Sequence, residues 1–298
     1  MGGKEDDQNA FYGATTDKGR RETQQDEQLV VENLFEGHPR ASLFAVFDGH
    51  GTDGAKVSAF VKRTFPRILR ESKALLTGSS KEAATALKSA FATVNELIKE
   101  NQAIDAYMSG TTATLLIFFE EDRRVLVANL GDSRIIMGRR EGDETVPVQI
   151  TTNLSISSTE SDHTCANAEE VDRVVKSGGR VDQMQTDEGG DGPLRIYKGT
   201  LPYPGLVVTR SLGDTCAERL GVLCEPEVID RELSKKDRFF VLASDGLWDG
   251  LDLDQVVHVV QKYDSPVKAS EVLNRKALKS LDAKCIDDNV TNIVVHTA

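Results

Sequence analysis

Ser42-Leu43-Phe44-Ala45-Val46-Phe47-Asp48-Gly49-His50-Gly51 is the stretch that decides the fold. Its first six residues are nearly all apolar, which reads as a strand buried on both faces. The run ends in a carboxylate, two glycines and an imidazole. A buried strand fixes the backbone, so the groups at its end are aimed as well as placed. Asp48 offers oxygen ligands to a hard cation, and Gly49 lets the chain bend so that its carbonyl can face the same ion. His50 can carry or release a proton near neutral pH. Read alone, Asp-Gly after a strand is simply a turn; similar strand-end aspartates further along change that reading.

On either side the pattern is of strands separated by paired helices. Phe11 to Thr15 and Gln28 to Leu34 read as strands joined by the polar stretch Thr16 to Asp26. Gly54 to Leu76 has helical spacing, broken or kinked at Pro66. Ser79 and Glu82 form a capping box for a helix with Ala84, Leu87, Phe91, Val94 and Ile98 on one face. A meander follows, with strands at Ala113 to Phe119, Arg124 to Leu130 and Ser133 to Met137. Residues 141–168 read as irregular, Glu169 to Lys176 as a short helix, and the Gly-, Asp- and Pro-rich Thr186 to Gly205 as a surface loop. Leu206 to Thr209, Val228 to Ile229 and Arg238 to Ala243 are strands. Asp252 to Tyr263 and Pro266 to Leu281 are helices, the second capped by Ser265, and Asn289 to His296 is a last strand. Strands throughout with helices in pairs predict an α+β layered sandwich rather than a βαβ alternation.

The totals narrow the class. At 298 residues, 39% hydrophobic and 28% charged, this is a soluble globular composition. Residues 1–10 are expected to be disordered and 11–298 to form a single domain. A net charge of −12 without any Lys/Arg-rich run argues against nucleic acid or an anionic membrane as partner. No stretch is long and apolar enough to span a membrane, and Met1 to Asn9 is too polar for a secretory signal. Asp6 stands where a myristoylation pattern wants Ser or Thr, so no lipid anchor is expected. Cys165, Cys216, Cys224 and Cys285 form no CxxC pair, which suits a reduced cytoplasmic or nuclear compartment. The sequons at Asn153 and Asn289 are then chance.

Asp48 and Asp245 each follow an apolar strand, and Asp288 precedes one. Burying three carboxylates together is costly unless cations neutralise them. Three carboxylates and two divalent ions leave about one positive charge, which would attract a phosphate dianion and lower the pKa of a bridging water. All-oxygen ligands select Mg²⁺ or Mn²⁺ over zinc. There is no GxxxxGK[ST] loop for a nucleotide.

Six short motifs stand in order: Asp48-Gly49-His50-Gly51, Ser109-Gly110-Thr111-Thr112-Ala113, Gly131-Asp132-Ser133-Arg134, Arg210-Ser211-Leu212-Gly213-Asp214, Ala243-Ser244-Asp245-Gly246-Leu247-Trp248-Asp249 and Asp288-Asn289-Val290-Thr291. Together, from about Tyr12 to His296, they resemble the protein phosphatase 2C family of metal-dependent serine/threonine phosphatases. The resemblance implies two antiparallel β-sheets flanked by helix pairs, a four-layer αββα fold. It implies a binuclear Mg²⁺ or Mn²⁺ centre whose bridging hydroxide hydrolyses phosphoserine and phosphothreonine in protein substrates. Asp48 would bridge the metals, the Gly49 carbonyl, Asp245 and Asp288 would complete the ligands, Arg21 would hold the phosphate and His50 would protonate the leaving oxygen. Arg20 is adjacent, so this choice depends on aligning Gly19 to Asp26. Gln25, where many members have Glu, and Asp26 would act through metal-bound water. Asp162 and Asp249 match residues that bind a weaker third metal in some members; Asn153 is a rival for the first, because of an insertion around Ser155 to Glu160. Asp132 and Asp214 read as turn-fixing residues, Arg134 and Arg210 as partners of buried carboxylates. A monomer is expected.

Overall fold

The computed structural model describes residues 10–38, 40–151, 161–185 and 191–297. Strands β1 (Tyr12–Asp17), β2 (Asp26–Val31) and β3 (Ala41–His50) lead into helices α1 (Gly54–Arg70), α2 (Lys73–Thr77) and α3 (Ser80–Glu100). Next come β4 (Gly110–Thr111), β5 (Ala113–Phe119), β6 (Arg124–Leu130), β7 (Arg134–Glu141), β8 (Glu144–Gln149) and α4 (Ala168–Lys176). β9 (Gly179–Gln185), β10 (Asp191–Lys198), β11 (Pro204–Leu206) and β12 (Leu212–Gly213) follow. The chain ends with β13 (Glu227–Glu232), β14 (Asp237–Ala243), α5 (Asp245–Gly250), α6 (Leu253–Lys262), α7 (Pro266–Lys284) and β15 (Val290–His296).

These strands make two large sheets, antiparallel throughout. One runs β1-β15-β14-β7-β8; the other runs β12-β4-β3-β5-β6-β13, with β2 also paired to β3. The alternation of side chains along β3 explains its unbroken apolar run. Phe44 and Val46 face the space between the sheets, where they meet Phe240, Leu242, Ile293 and Val295. Leu43, Ala45 and Phe47 face outward onto Val57, Val61, Phe65 and Phe91 of α1 and α3. Phe47 stacks on Phe65 with ring centroids 6.0 Å apart, and removing either ring should cost about 3–5 kcal/mol. On the far side, Val241, Ala243 and Val294 pack against Val256, Leu273 and Ala277 of α6 and α7. The result is the expected four-layer αββα sandwich.

Several local expectations need correction. β3 does not turn at Gly49: it continues to His50, with Gly49 opposite Thr111 and His50 opposite Gly110. The bend comes at Gly51, in the left-handed region. Pro66 does not interrupt α1, because Val57, Val61, Phe65 and Leu69 keep the helix seated on the sheet; the break falls between Arg70 and Lys73. Part of 141–168 is β8, which closes a hairpin with β7. Much of the expected loop Thr186 to Gly205 is β10 and β11 of a separate three-stranded sheet. Only Ile196 and Tyr197 of β10 turn into the core there, too few to show a period. The expectations for Met1 to Asn9, Asn153, Ser155 to Glu160 and residues 186–190 lie outside the described residues.

Candidate metal centre

β3, the β6–β7 turn, the β14–α5 junction and the start of β15 all reach one end of the sandwich, around a cleft of about 890 Å³. Arg21, Gln25, Asp48, Gly49, His50, Asp162, Asp245, Asp249 and Asp288 all line it. Asp26 lies behind the wall. It is buried beside Asp48 across the β2–β3 ladder and accepts a hydrogen bond from Ser244 Oγ at 2.7 Å.

The local fold aims each acid. Asp48 is clamped through its backbone: its N–H donates to Thr112 Oγ1 at 3.1 Å, and its carbonyl accepts from the Thr112 N–H at 2.9 Å. Asp245 opens α5 directly after β14. Gly246 lets that turn lie against β15, because a Cβ there would collide with the Asn289 carbonyl oxygen. This close approach brings Asp245 toward Asp288. Asn289 in turn ties Asp288 to the Arg21 loop. Its side chain donates to the Lys18 and Thr23 carbonyls and accepts from the Gln25 N–H, work incompatible with glycosylation.

Carboxylate oxygens of Asp48, Asp132 and Asp245 lie within 4.8 Å of one another. Asp132, read from the sequence only as a turn-fixing group, stands at a turn and also within this cluster. It sits at the turn that carries the chain from one sheet to the other, two residues after the apolar strand β6, as Asp48 follows the apolar run of β3. The same strand-end signal would have found it.

The electrostatics of this group are those of acids missing their counter-charges. Burial, with Asp245, Asp26 and Asp132 nearby, pushes Asp48 well above the usual carboxylate range. Burial and Asp132 push Asp245 up to about 7. Burial and Asp245 do the same to Asp288, to about 7, although Arg21 opposes them. Burial and Asp162 raise Asp132 to about 6, and burial raises Asp26 to about 6 against the help of Ser244. Half-buried oxygens from separate elements, aimed at a common point and reluctant to ionise alone, fit a hard divalent cation.

The remaining residues surround that point. Arg21 donates from Nε to the Asp287 carbonyl at 2.6 Å and pairs with Asp288 at 3.0 Å, leaving its head half exposed at the cleft rim. Arg20 instead pairs with Asp282 and Asp287 and does not line the cleft. Burial lowers the His50 pKa, but the charge and hydrogen bond of Asp214 outweigh this and hold it above its ordinary value. Gln25 Nε2 donates to the Gly51 carbonyl at 2.8 Å. Asp162 has both oxygens engaged by Arg134, with contacts of 2.5–3.0 Å. Arg210 likewise holds buried Glu170; both arginine pairings are as expected from the sequence. Burial pushes the Cys165 thiol up to about 12 and Cys216 to about 11, which keeps both protonated near neutral pH.

Comparison with known proteins agrees with this geometry. The "Protein phosphatase 2C" family model matches residues 11–286. "Probable protein phosphatase 2C 35" of Arabidopsis thaliana is 33% identical over an alignment covering 97% of this chain and 82% of its own length. "Probable protein phosphatase 2C 73" of Oryza sativa subsp. japonica is 32% identical, over 89% of this chain and 66% of its own. The fold is shared with a crystal structure of serine-threonine phosphatase 2C from Toxoplasma gondii, at a TM-score of 0.82 and 22% identity over 96% of this chain and 94% of that one. The chain therefore belongs to the protein phosphatase 2C family, and its enzyme class is that of the serine/threonine protein phosphatases, which are hydrolases.

Proposed function

We propose that this chain hydrolyses phosphoserine and phosphothreonine in proteins at a centre of two Mg²⁺ or Mn²⁺ ions. The observation that carries the reading is the meeting of Asp48, Asp132 and Asp245 in one cleft with Asp288, Arg21 and His50. Asp48, Asp245, Asp288 and the Gly49 carbonyl would hold the ions, with Asp132 beside them. Four carboxylates bring four negative charges, and two divalent ions neutralise them. The ions supply the Lewis acidity that makes water a nucleophile at neutral pH.

The chain's own residues do the rest. Arg21 can turn its exposed guanidinium N–H groups to phosphate oxygens, which adds positive charge and orientation. His50 gives a proton to the departing serine or threonine oxygen, a contribution of about 10²–10⁴ in rate. Gln25, in the cleft wall, and Asp26, behind it, would act through metal-bound water. A third, weaker ion at Asp162 and Asp249 would compete with Arg134 for Asp162, which accounts for its weakness. The apolar residues of the cleft wall suit a protein substrate, and the enzyme is read as a cytoplasmic or nuclear monomer.

The test is hydrolysis of a phosphothreonine peptide with Mn²⁺, with chelator, and with Asp245→Asn. Turnover that requires Mn²⁺ and collapses in the variant is the expected result. Saturable Mn²⁺ binding without turnover would instead point to a binding module or a metal-stabilised scaffold.

A further inference from the structure

The Arg210-Ser211-Leu212-Gly213-Asp214 motif has no part in the reading above, and Asp214 was expected only to fix a turn. The ladder places it elsewhere. His50 of β3 stands opposite Gly110 of β4, and Gly110 stands opposite Gly213 of β12. Three motifs thus cross on a single rung, and the residue after Gly213 is Asp214. Its carboxylate is 3% exposed and lies 2.6 Å from Nε2 of His50.

Everything around Asp214 holds that carboxylate in place. Ser211 Oγ donates to the same oxygen, Oδ2, at 2.6 Å. The Asp214 N–H donates to the Ser109 carbonyl at 3.0 Å. Asp214 adopts a left-handed backbone, φ 45°, uncommon outside glycine. Gly110 leaves the space Oδ2 occupies, since a Cβ there would collide with it. The buried oxygen thus bonds its own turn through Ser211 and, beyond what fixing a turn needs, an imidazole 164 positions away.

We propose that Asp214 is a positioning residue that fixes the ring and tautomer of His50, with Ser211 as its anchor. A carboxylate can only accept, so Nε2 carries a hydrogen toward Asp214 and Nδ1 is the nitrogen left to serve the cleft. The inference rests on the proposed role of His50. In the reaction, the bond from phosphorus to the serine or threonine oxygen breaks and its electron pair stays on that oxygen. The oxygen takes the proton from His50 Nδ1 while water forms the new phosphorus–oxygen bond and releases a proton to solvent, from which His50 is reprotonated. Asp214 keeps the Nε2 hydrogen bond throughout.

Leaving-group dependence tests this, since an alkoxide needs the proton and a nitrophenolate scarcely does. Asp214→Ala, Asp214→Asn, His50→Ala and the double variant His50→Ala/Asp214→Ala would be assayed with Mn²⁺ on a phosphothreonine peptide and on p-nitrophenyl phosphate. Asp214→Ala should lower kcat on the peptide about 100-fold, with KM little changed, and kcat on the aryl ester less than about 3-fold. Asp214→Asn, which retains an acceptor for Nε2, should recover part of the peptide activity. In the His50→Ala background, removing Asp214 should cost less than about 3-fold more, because the two act as a unit. Equal losses on both substrates, no loss on either, or multiplying losses in the double variant would overturn the positioning role while leaving His50 as the acid. Should His50→Ala itself fail to discriminate the substrates, the proton-donor reading falls and the role of Asp214 with it. Asp214→Asn keeps the test open if the alanine variant does not fold.

Discussion

Glu170 and Asp245 are both acids drawn out of water, and they end up on opposite sides of the ordinary carboxylate pKa. Around Glu170 the protein supplies the cations. Arg173 holds it with contacts of 2.5 and 2.7 Å, Arg210 reaches it at 2.7 Å, and Thr209 Oγ1 donates at 2.6 Å. Burial opposes ionisation there, but the two guanidinium groups win and hold Glu170 far below its usual pKa. Around Asp245 the neighbours are Asp48 and Asp132, and the pKa rises to about 7. One network supplies its own counter-charges; the other, on the proposed function, would be completed by ions from outside. The first is built for stability, the second for binding.

The largest effect should come from leaving the second network incomplete. Chelation, or Asp245→Asn with Mn²⁺ present, should cut phosphopeptide turnover about 1,000-fold, equivalent to about 4 kcal/mol of lost transition-state stabilisation. In the metal-free protein the same substitution should leave the melting temperature unchanged or higher, since it removes a repelling charge. A clear drop in melting temperature without metal would mean that the carboxylate serves the fold, and the contrast would fail.

Glu170→Gln probes the complete network. It strands two arginines in a part-buried site, where breaking such a pairing costs about 3–5 kcal/mol. For a chain of this size that is a fall of about 5–8 °C in melting temperature, with little change in Mn²⁺ affinity. A shift of under 2 °C would show that Glu170 contributes no more than a surface pair.

Acidity should separate the two regions as well. The raised acids Asp132, Asp245 and Asp288 bind more protons folded than unfolded between about pH 4 and 7. Without metal their contribution to stability therefore falls as pH rises through that window. Glu170 has the opposite sign: its contribution is present above its unfolded pKa of about 4.3 and is lost as pH falls below. Urea melts of the metal-free protein should thus show a maximum near pH 5. Saturating Mn²⁺, which binds the ionised acids, should move it toward neutrality. An unmoved maximum would break the assignment of the cluster to cations.

How much of this was legible in the sequence follows from where the signals are local. Strand-end acids mark Asp48 and Asp245 because burial forces an apolar run just before them. The capping box at Ser79 and Glu82 needs only four residues, and it forms as read. Gly49 misled because Asp-Gly is a turn signal, while the ladder with Thr111 that keeps it extended is set by a residue far along the chain. Asp214 and Asn289 were opaque for the same reason. Their partners, His50 and the Lys18 to Gln25 loop, are more than 160 positions away, and only the folded ladder brings them together. β10 was hidden because Pro193 and Leu194 stand exposed and few of its other described residues face a core.

The smallest effect concerns Gln25, where the two kinds of network meet in one side chain. Its amide lines the cleft beside Asp48, but its N–H donates to the Gly51 carbonyl at 2.8 Å, steadying the bend that follows His50. Gln25→Glu would add a negative charge near the cations and remove that donor. The charge should lower the Mg²⁺ midpoint for activity by about 2- to 3-fold, the scale expected of a side chain acting through water rather than a direct ligand. The lost hydrogen bond should cost about 1 kcal/mol of stability in the metal-free protein, through repulsion between two oxygens that only acid or a cation relieves. Mg²⁺ titrations and melts of both proteins measure the two effects separately. An unchanged midpoint with reduced stability would assign Gln25 to the Gly51 bend alone; a lower midpoint shows that this chain trades ion affinity for a firmer loop.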